Sequence, residues 1–301
     1  MAIIDSILSA VGNTPLIELK HVVPEGGRVF AKLEYLNPSG SIKDRIIKPM
    51  IEDAVARGLL KEGGTIVEPT SGNTGISMVF IAAAMGYKAV LVMPETMSKE
   101  RVSFMRSYGA EIVLTPGNEN MDGSIRVAKE IAEERGAYMP NQYDNLVNTQ
   151  VHCETTGAEI LRDLPDVSAV FAGIGTGGTV SGIGKAFKEA GSPAKAYGIE
   201  PEYSPIITQG WAAIHKIQGI GVNIVPGNYR KEYVEDVVQV KDEDAEAMCV
   251  RLSREEAIFG GVSSGANVFA ACRYAAEHPG EKVVAIIPDR ADRYFSTGLF
   301  G

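Results

Sequence analysis

The sequence is poor in the features that would place it early in a specialised class. Basic residues are outnumbered, 29 lysines and arginines against 38 aspartates and glutamates, for a formal net charge of -9. Nucleic-acid binding is therefore not expected, because phosphate recognition calls for a concentrated basic surface. Cysteine is scarce. Cys153, Cys249 and Cys272 are scattered and odd in number, so neither a disulfide framework nor a thiolate metal site follows, and buried thiols are expected. The four histidines, His21, His152, His215 and His278, lack metal-ligand spacing and read as structural or solvated residues, with no metal. No apolar run reaches the about 20 residues of a membrane-spanning helix, and "MAIIDSILSAVGNTPLIELK" has no basic stretch ahead of a long apolar core. A cytoplasmic enzyme is the simplest expectation.

What is present is an ordinary globular composition, 45% hydrophobic and 22% charged over 301 residues, a length that suits two closely packed domains. From residue 64 short apolar runs alternate with amphipathic segments: "GTIVE" and a helix over 75–85, "KAVLVM" and a helix over 99–108, "EIVLT" and a helix over 124–135. In the last helix Ile125, Ala128, Ile131 and Ala132 fall on one face, and Gly136 suits a C-terminal cap. A second series follows, with strands in "VSAVFAGIG", "KAYGIE" and "KVVAIIP" and helices over 180–190, 242–259 and 265–277. Strands alternating with helices predict two parallel-sheet α/β domains. The expected division gives a smaller domain over 40–148 and a larger one from 1–39 plus 149–301.

Ligands of open parallel sheets bind beyond the carboxyl ends of strands, where loops enter helix N-termini. "EPTSGNTG", residues 68–75, places Thr70, Ser71, Asn73 and Thr74 around Gly72 before a helix. It reads either as an anion loop or as a helix cap rich in hydroxyls. "GIGTGGTVSG", residues 173–182, lets the backbone approach a bulky anion and adds the hydroxyls of Thr176 and Thr179. Its fit to G-x-G-x-x-G is weak as a dinucleotide signal, and no Gly-Lys-Ser/Thr ending marks a P-loop, so a small phosphorylated cofactor suits it better. "GGVSSGAN", residues 260–267, leads into a further helix and carries Ser263 and Ser264. "NPSGSIKDR", residues 37–45, sets Lys43 behind a turn. By itself that stretch is compatible with a plain surface helix.

One lysine, a glycine-rich phosphate turn and a separate small-anion loop are together what pyridoxal phosphate would require. From "GNTPLIEL" to "DRYFSTGLFG" the chain resembles the fold-type II pyridoxal-phosphate enzymes, and most closely the cysteine synthase (O-acetylserine sulfhydrylase) and cystathionine β-synthase family. The resemblance implies two three-layer domains of the tryptophan-synthase-β-like architecture with pyridoxal 5'-phosphate in the cleft between them. It implies that Lys43 carries the cofactor as a Schiff base and serves as base and acid, and that Asn73 bonds the ring hydroxyl oxygen. Gly175, Thr176, Gly177, Gly178 and Thr179 would hold the phosphate, and Ser263 would face the pyridine nitrogen. Thr70, Ser71, Thr74 and Gln142, with Asn73 beside them, would hold the substrate carboxylate. The implied reaction is β-replacement through an α-aminoacrylate, O-acetyl-L-serine and sulfide giving L-cysteine and acetate.

Alternatives are a cysteine-consuming, sulfide-releasing or cystathionine- or lanthionine-forming enzyme, and a catalytically silent binding partner of serine acetyltransferase. A homodimer is expected, with serine acetyltransferase as a further partner. One departure bears on the acceptor: "GIGVNIVP" puts Val222 and Asn223 where the family usually has small residues. Asn223 is thus either a substrate-side residue or a tolerated loop substitution.

Overall fold

The computed structural model of the chain describes residues 3–70, 72–97 and 99–300. Among them the strands are β1 (Leu16–Glu18), β2 (Arg28–Leu33), β3 (Thr65–Pro69), β4 (Lys88–Pro94), β5 (Glu111–Thr115), β6 (Val167–Gly173), β7 (Lys195–Pro201), β8 (Asp236–Val240) and β9 (Lys282–Ile287). The α-helices are α1 (Asp44–Ala56), α2 (Asn73–Met85), α3 (Lys99–Ser107), α4 (Asn120–Arg135), α5 (Val147–Val151), α6 (Ala158–Asp163), α7 (Gly178–Glu189), α8 (Ile206–Gln209), α9 (Asp242–Glu255) and α10 (Val262–Glu277), and a π-helical segment, His152–Gly157, joins α5 to α6. The chain divides into two compact units, one of Met1–Val11 with Lys43–Val147, the other of Gly12–Ile42 with Asn148–Gly301.

The first unit holds the parallel sheet β3-β4-β5. Its central strand, "KAVLVMP", is apolar without alternation because every residue after Lys88 is buried, as befits a strand covered on both faces. Helix α4 lays Ala128 and Ile131 against Val67, Val90 and Val92 and closes at Gly136, left-handed at φ 59°, as the sequence predicts. Ile125 is instead exposed. Ser124 takes the inward position one residue earlier and bonds the Thr115 hydroxyl at 2.9 Å. On the outer edge of β3, Val67 N–H donates to the Tyr138 carbonyl and Tyr138 N–H to that of Thr65, both at 2.9 Å. The turn that follows Tyr138 is thereby carried along β3 toward its carboxyl end.

The second unit holds a six-stranded sheet in the order β1-β2-β9-β6-β7-β8, parallel except for the β1 edge. Alternate residues of β9 serve opposite layers, since side chains of a strand alternate between faces. Val283, Ala285 and Ile287 join the core under α9 and α10, while Val284 and Ile286 join the one under α6 and α7. The three-layer reading is correct for this unit. Helix α9 stops at Glu255, four residues short of expectation, because Ala257 turns left-handed at φ 55° and Ile258 N–H returns to the Leu252 carbonyl at 3.0 Å. All three cysteines are buried, as expected, and burial raises their thiols to about 11 (Cys153) and about 12 (Cys249 and Cys272).

Strand β2 carries a lysine in its interior, and that lysine is fully buried. Lys32 Nζ donates to Glu159 Oε2 at 2.7 Å and to the Thr14 carbonyl at 2.6 Å. Glu159 Oε1 accepts Asn13 N–H at 2.9 Å, while the Thr14 hydroxyl donates to Glu34 Oε1 at 2.6 Å. Glu34 Oε2 accepts from the Asn37 amide at 3.0 Å. Removing one partner of such a pair strands a buried charge, at a cost of about 3–5 kcal/mol. Lys32→Met should therefore lower the unfolding free energy in urea by about that amount, and Lys32→Met with Glu159→Gln should recover part of it. A double variant no more stable than the single one would contradict the pairing.

Candidate active site

In the second unit the chain leaves β6 at Gly173 and enters α7 at Gly178. Gly177, the N-cap, is left-handed at φ 80° and no side chain caps the helix. A Cβ there would sit 2.6 Å from Tyr229 N, and one at Gly175 would overlap the Gly219 carbonyl. This turn is thus a surface of backbone N–H groups at the positive end of a helix dipole, an arrangement suited to a phosphate. Both threonines of the loop join it. Thr176, buried, accepts from Asn148 Nδ2 at 3.0 Å, and Thr179 Oγ1 lies 3.2 Å from His152 Nε2.

Ser263, the second residue of α10, is also buried, and its Oγ is 3.9 Å from the Cβ position of Gly219. Because Gly219 also abuts Gly175, the loop of 175–179 and Ser263 belong to one locality. Its hydroxyl is a neutral group, able to donate or accept. Asn223 lies exposed in the loop after Ile220.

The strap before Lys43 is fixed to the same edge of the sheet. Asn37 to Gly40 forms a turn closed by Gly40 N–H on the Asn37 carbonyl at 2.8 Å. Arg293 donates to the Ser39 carbonyl, Ser41 pairs with Asp289, and Ile42 N–H donates to the Pro288 carbonyl at 2.8 Å just beyond β9. Lys43 is the next residue, the half-buried N-cap of α1, whose carbonyl accepts Ile46 N–H at 3.2 Å.

In the first unit α1 packs against α2. Thr70 N–H donates to the Val92 carbonyl, extending the ladder past β3, and Gly72 N–H reaches Thr70 Oγ1 at 3.4 Å. Asn73 opens α2. Thr74 donates to Gln142 Oε1 at 2.6 Å, both residues being buried. Thr70, Asn73, Thr74 and Gln142 thus meet around one helix N-terminus. Ser71 lies outside the described residues.

Three further residues support these groups. Asn148 and His152 bond the loop threonines as given above; from sequence His152 is expected to be structural or solvated, and nothing local singles out Asn148. The third is Glu68, at the carboxyl end of β3, which accepts the backbone N–H groups of Asn141 and Gln142, while its Oε2 is buried without a hydrogen-bond partner. It therefore holds the turn that presents Gln142. A lone acid in the apolar run "TIVEP" was the signal for it.

Burial raises the Glu68 carboxyl from 4.5 to about 7, against the two backbone N–H groups that lower it. The folded chain keeps this proton at pH values where the unfolded chain has released it. The stability that follows is complete below pH about 4.5 and is lost as pH rises through about 7. Relative to wild type, Glu68→Gln should gain roughly a few kcal/mol of unfolding free energy between pH about 5 and about 8. A difference that does not change with pH in urea melts would contradict a buried, titrating Glu68.

Compared with known proteins, residues 7–289 match the family model described as pyridoxal-phosphate dependent enzyme. The cysteine synthase of Staphylococcus aureus (strain Mu50) is 46% identical over 301 residues, covering 99% of this chain and 97% of that protein. Among solved structures, an O-ureido-L-serine synthase is 40% identical with a TM-score of 0.95, over 99% of this chain and 96% of that one. A hydrogen sulfide-producing enzyme of Fusobacterium nucleatum is 39% identical with a TM-score of 0.93, over 98% and 99%.

Proposed function

The chain belongs to the pyridoxal-phosphate dependent enzymes, and within them to the cysteine synthase family, and we propose that it makes L-cysteine and acetate from O-acetyl-L-serine and sulfide. The observation that carries this reading is the uncapped glycine turn into α7 with Ser263 beside it, a donor-rich cradle matched to a phosphorylated pyridine. The cradle fits the phosphate and ring nitrogen of the cofactor, which Gly175 to Thr179 and Ser263 would hold; by likeness to the family, Asn73 would bond the ring oxygen and Lys43 would form the covalent link. When bound, pyridoxal phosphate supplies an electron sink for the α-carbon of the amino acid.

The rest is work for the chain's own residues. Thr70, Ser71, Thr74 and Gln142 hold the substrate carboxylate and set the α-proton toward Lys43. The Lys43 amine takes that proton as acetate leaves and returns it after sulfide has added to the β-carbon. Ser263 offers a neutral hydroxyl, so the pyridine nitrogen is not held protonated as an aspartate would hold it. As partners we propose a second copy of the chain and serine acetyltransferase, and as location the cytoplasm. Among the described residues no helix is long and apolar enough to cross a membrane.

The test is to load the protein with pyridoxal phosphate and assay L-cysteine from O-acetyl-L-serine and sulfide. Lys43→Ala should fold, lack the visible absorbance of lysine-bound cofactor, and lose turnover by at least about 100-fold, the lower range for a general acid-base group. Normal absorbance with turnover retained would refute the role of Lys43.

A second reading, release of sulfide from cysteine, is supported by the full-length likeness to the hydrogen sulfide-producing enzyme. The exposed Asn223 is the residue proposed to bias acceptor choice. Asn223→Gly should alter the ratio of sulfide to homocysteine usage, and an unchanged ratio would remove Asn223 from the substrate side.

A further inference from the structure

A phosphate dianion accepts hydrogen bonds and donates none, whereas a threonine hydroxyl has a single proton to give. A threonine can therefore serve a phosphate only when the neighbour it also touches is a donor. Both loop threonines have a neighbour able to donate, and both neighbours come from the segment packed along α7. Asn148, fully buried in α5, donates from Nδ2 to Thr176 Oγ1 at 3.0 Å. His152, four residues on and 2% exposed, places Nε2 3.2 Å from Thr179 Oγ1 and Nδ1 2.9 Å from Thr156 Oγ1.

We infer that Asn148 and His152 are positioning residues that donate to the oxygens of Thr176 and Thr179, leaving both hydroxyl protons for the cofactor phosphate. The inference rests on the reading of 175–179 as the phosphate site. It assigns His152 a proton on Nε2, with the Thr156 hydroxyl donating to Nδ1.

The glycines of α7 give the arrangement its spacing. Asn148 and His152 are four residues apart on one segment, Gly178 and Gly182 four apart on the other. A Cβ at Gly178 would overlap the Asn148 amide, and one at Gly182 would stand 2.5 Å from His152 Cβ. Only side-chain-free positions let the two donors reach past α7 to the threonines. The wider turn of the π-helical segment carries Thr156 back to the imidazole that it orients, and a single π-helical turn of this kind is frequent at functional sites.

Affinity of the apoprotein for pyridoxal phosphate, followed by absorbance, reads this without turnover. Asn148→Ala should weaken binding by about 3- to 10-fold, the effect of one lost hydrogen bond. Asn148→Asp keeps the shape but takes the Thr176 proton and adds a negative charge, so it should weaken binding more, by at least about tenfold. In a Thr176→Val background Asn148→Ala should cost nothing further.

His152→Gln, whose amide nitrogen can stand in for Nε2, should retain affinity that His152→Asn loses. Nitrogen-15 NMR of histidine-labelled wild type should find the His152 proton on Nε2, a measurement that stands even if a variant fails to fold. Losses that multiply in the double variant, Asn148→Asp binding as wild type does, or Nε2 without its proton would each overturn the inference. A wild-type protein that binds no pyridoxal phosphate would refute the functional reading itself.

Discussion

An anion that accepts hydrogen bonds and offers none has to be met by donors alone, and the phosphate role proposed for the turn between β6 and α7 depends on that requirement. Its helix start is uncapped, its N-cap is a left-handed glycine, and backbone at Gly219 and Tyr229 leaves no room for a side chain at Gly175 or Gly177. Thr176 and Thr179 are the two hydroxyls admitted, and each touches a nitrogen from the segment alongside. A Cβ at Gly175 or Gly177 would strike the Gly219 or Tyr229 backbone, and one at Gly178 would displace the Asn148 amide.

The remainder of the second unit keeps that turn and the strap before Lys43 at one edge of a sheet. Strand β9 lies at the centre of this arrangement. Its carboxyl end anchors Ile42 through Pro288, and the Asp289 carbonyl accepts Gly261 N–H at 3.1 Å, fixing the start of α10 and with it Ser263. On the amino-terminal side the chain of polar contacts from Glu159 through Lys32, Thr14 and Glu34 to Asn37 sets where the strap turns. Such a network is costly to bury and specific when complete. In the first unit Glu68 does comparable work with one carboxylate, holding backbone rather than side chain.

Much of this was legible in the sequence because it is local. Strands β4 and β9 are continuous apolar runs, and the glycine turn, "TSGNTG" and the strap before Lys43 are short motifs whose residue types carry their own physical reasons. Other elements were not legible, each for a definite cause. Strand β2 is interrupted by Lys32, whose burial depends on a partner 127 residues away. Strands β1 and β8 are edge strands with few fully buried residues. The early end of α9 follows from a left-handed alanine that no propensity favours. Asn148 and His152 carry no local signature. The role proposed for them depends on which face of α7 they meet, and that is set by the packing of Gly178 and Gly182 against them.

The most direct test of this account is the phosphorus-31 NMR signal of the pyridoxal-phosphate-loaded protein followed across pH. Free phosphate monoesters take up their second proton near pH 6. A phosphate enclosed by donors alone is held as the dianion, so its chemical shift should stay constant from pH about 6 to about 9. A shift that titrates near pH 6, as for the free cofactor, would mean that the glycine turn does not enclose the phosphate, and would contradict the account at its centre.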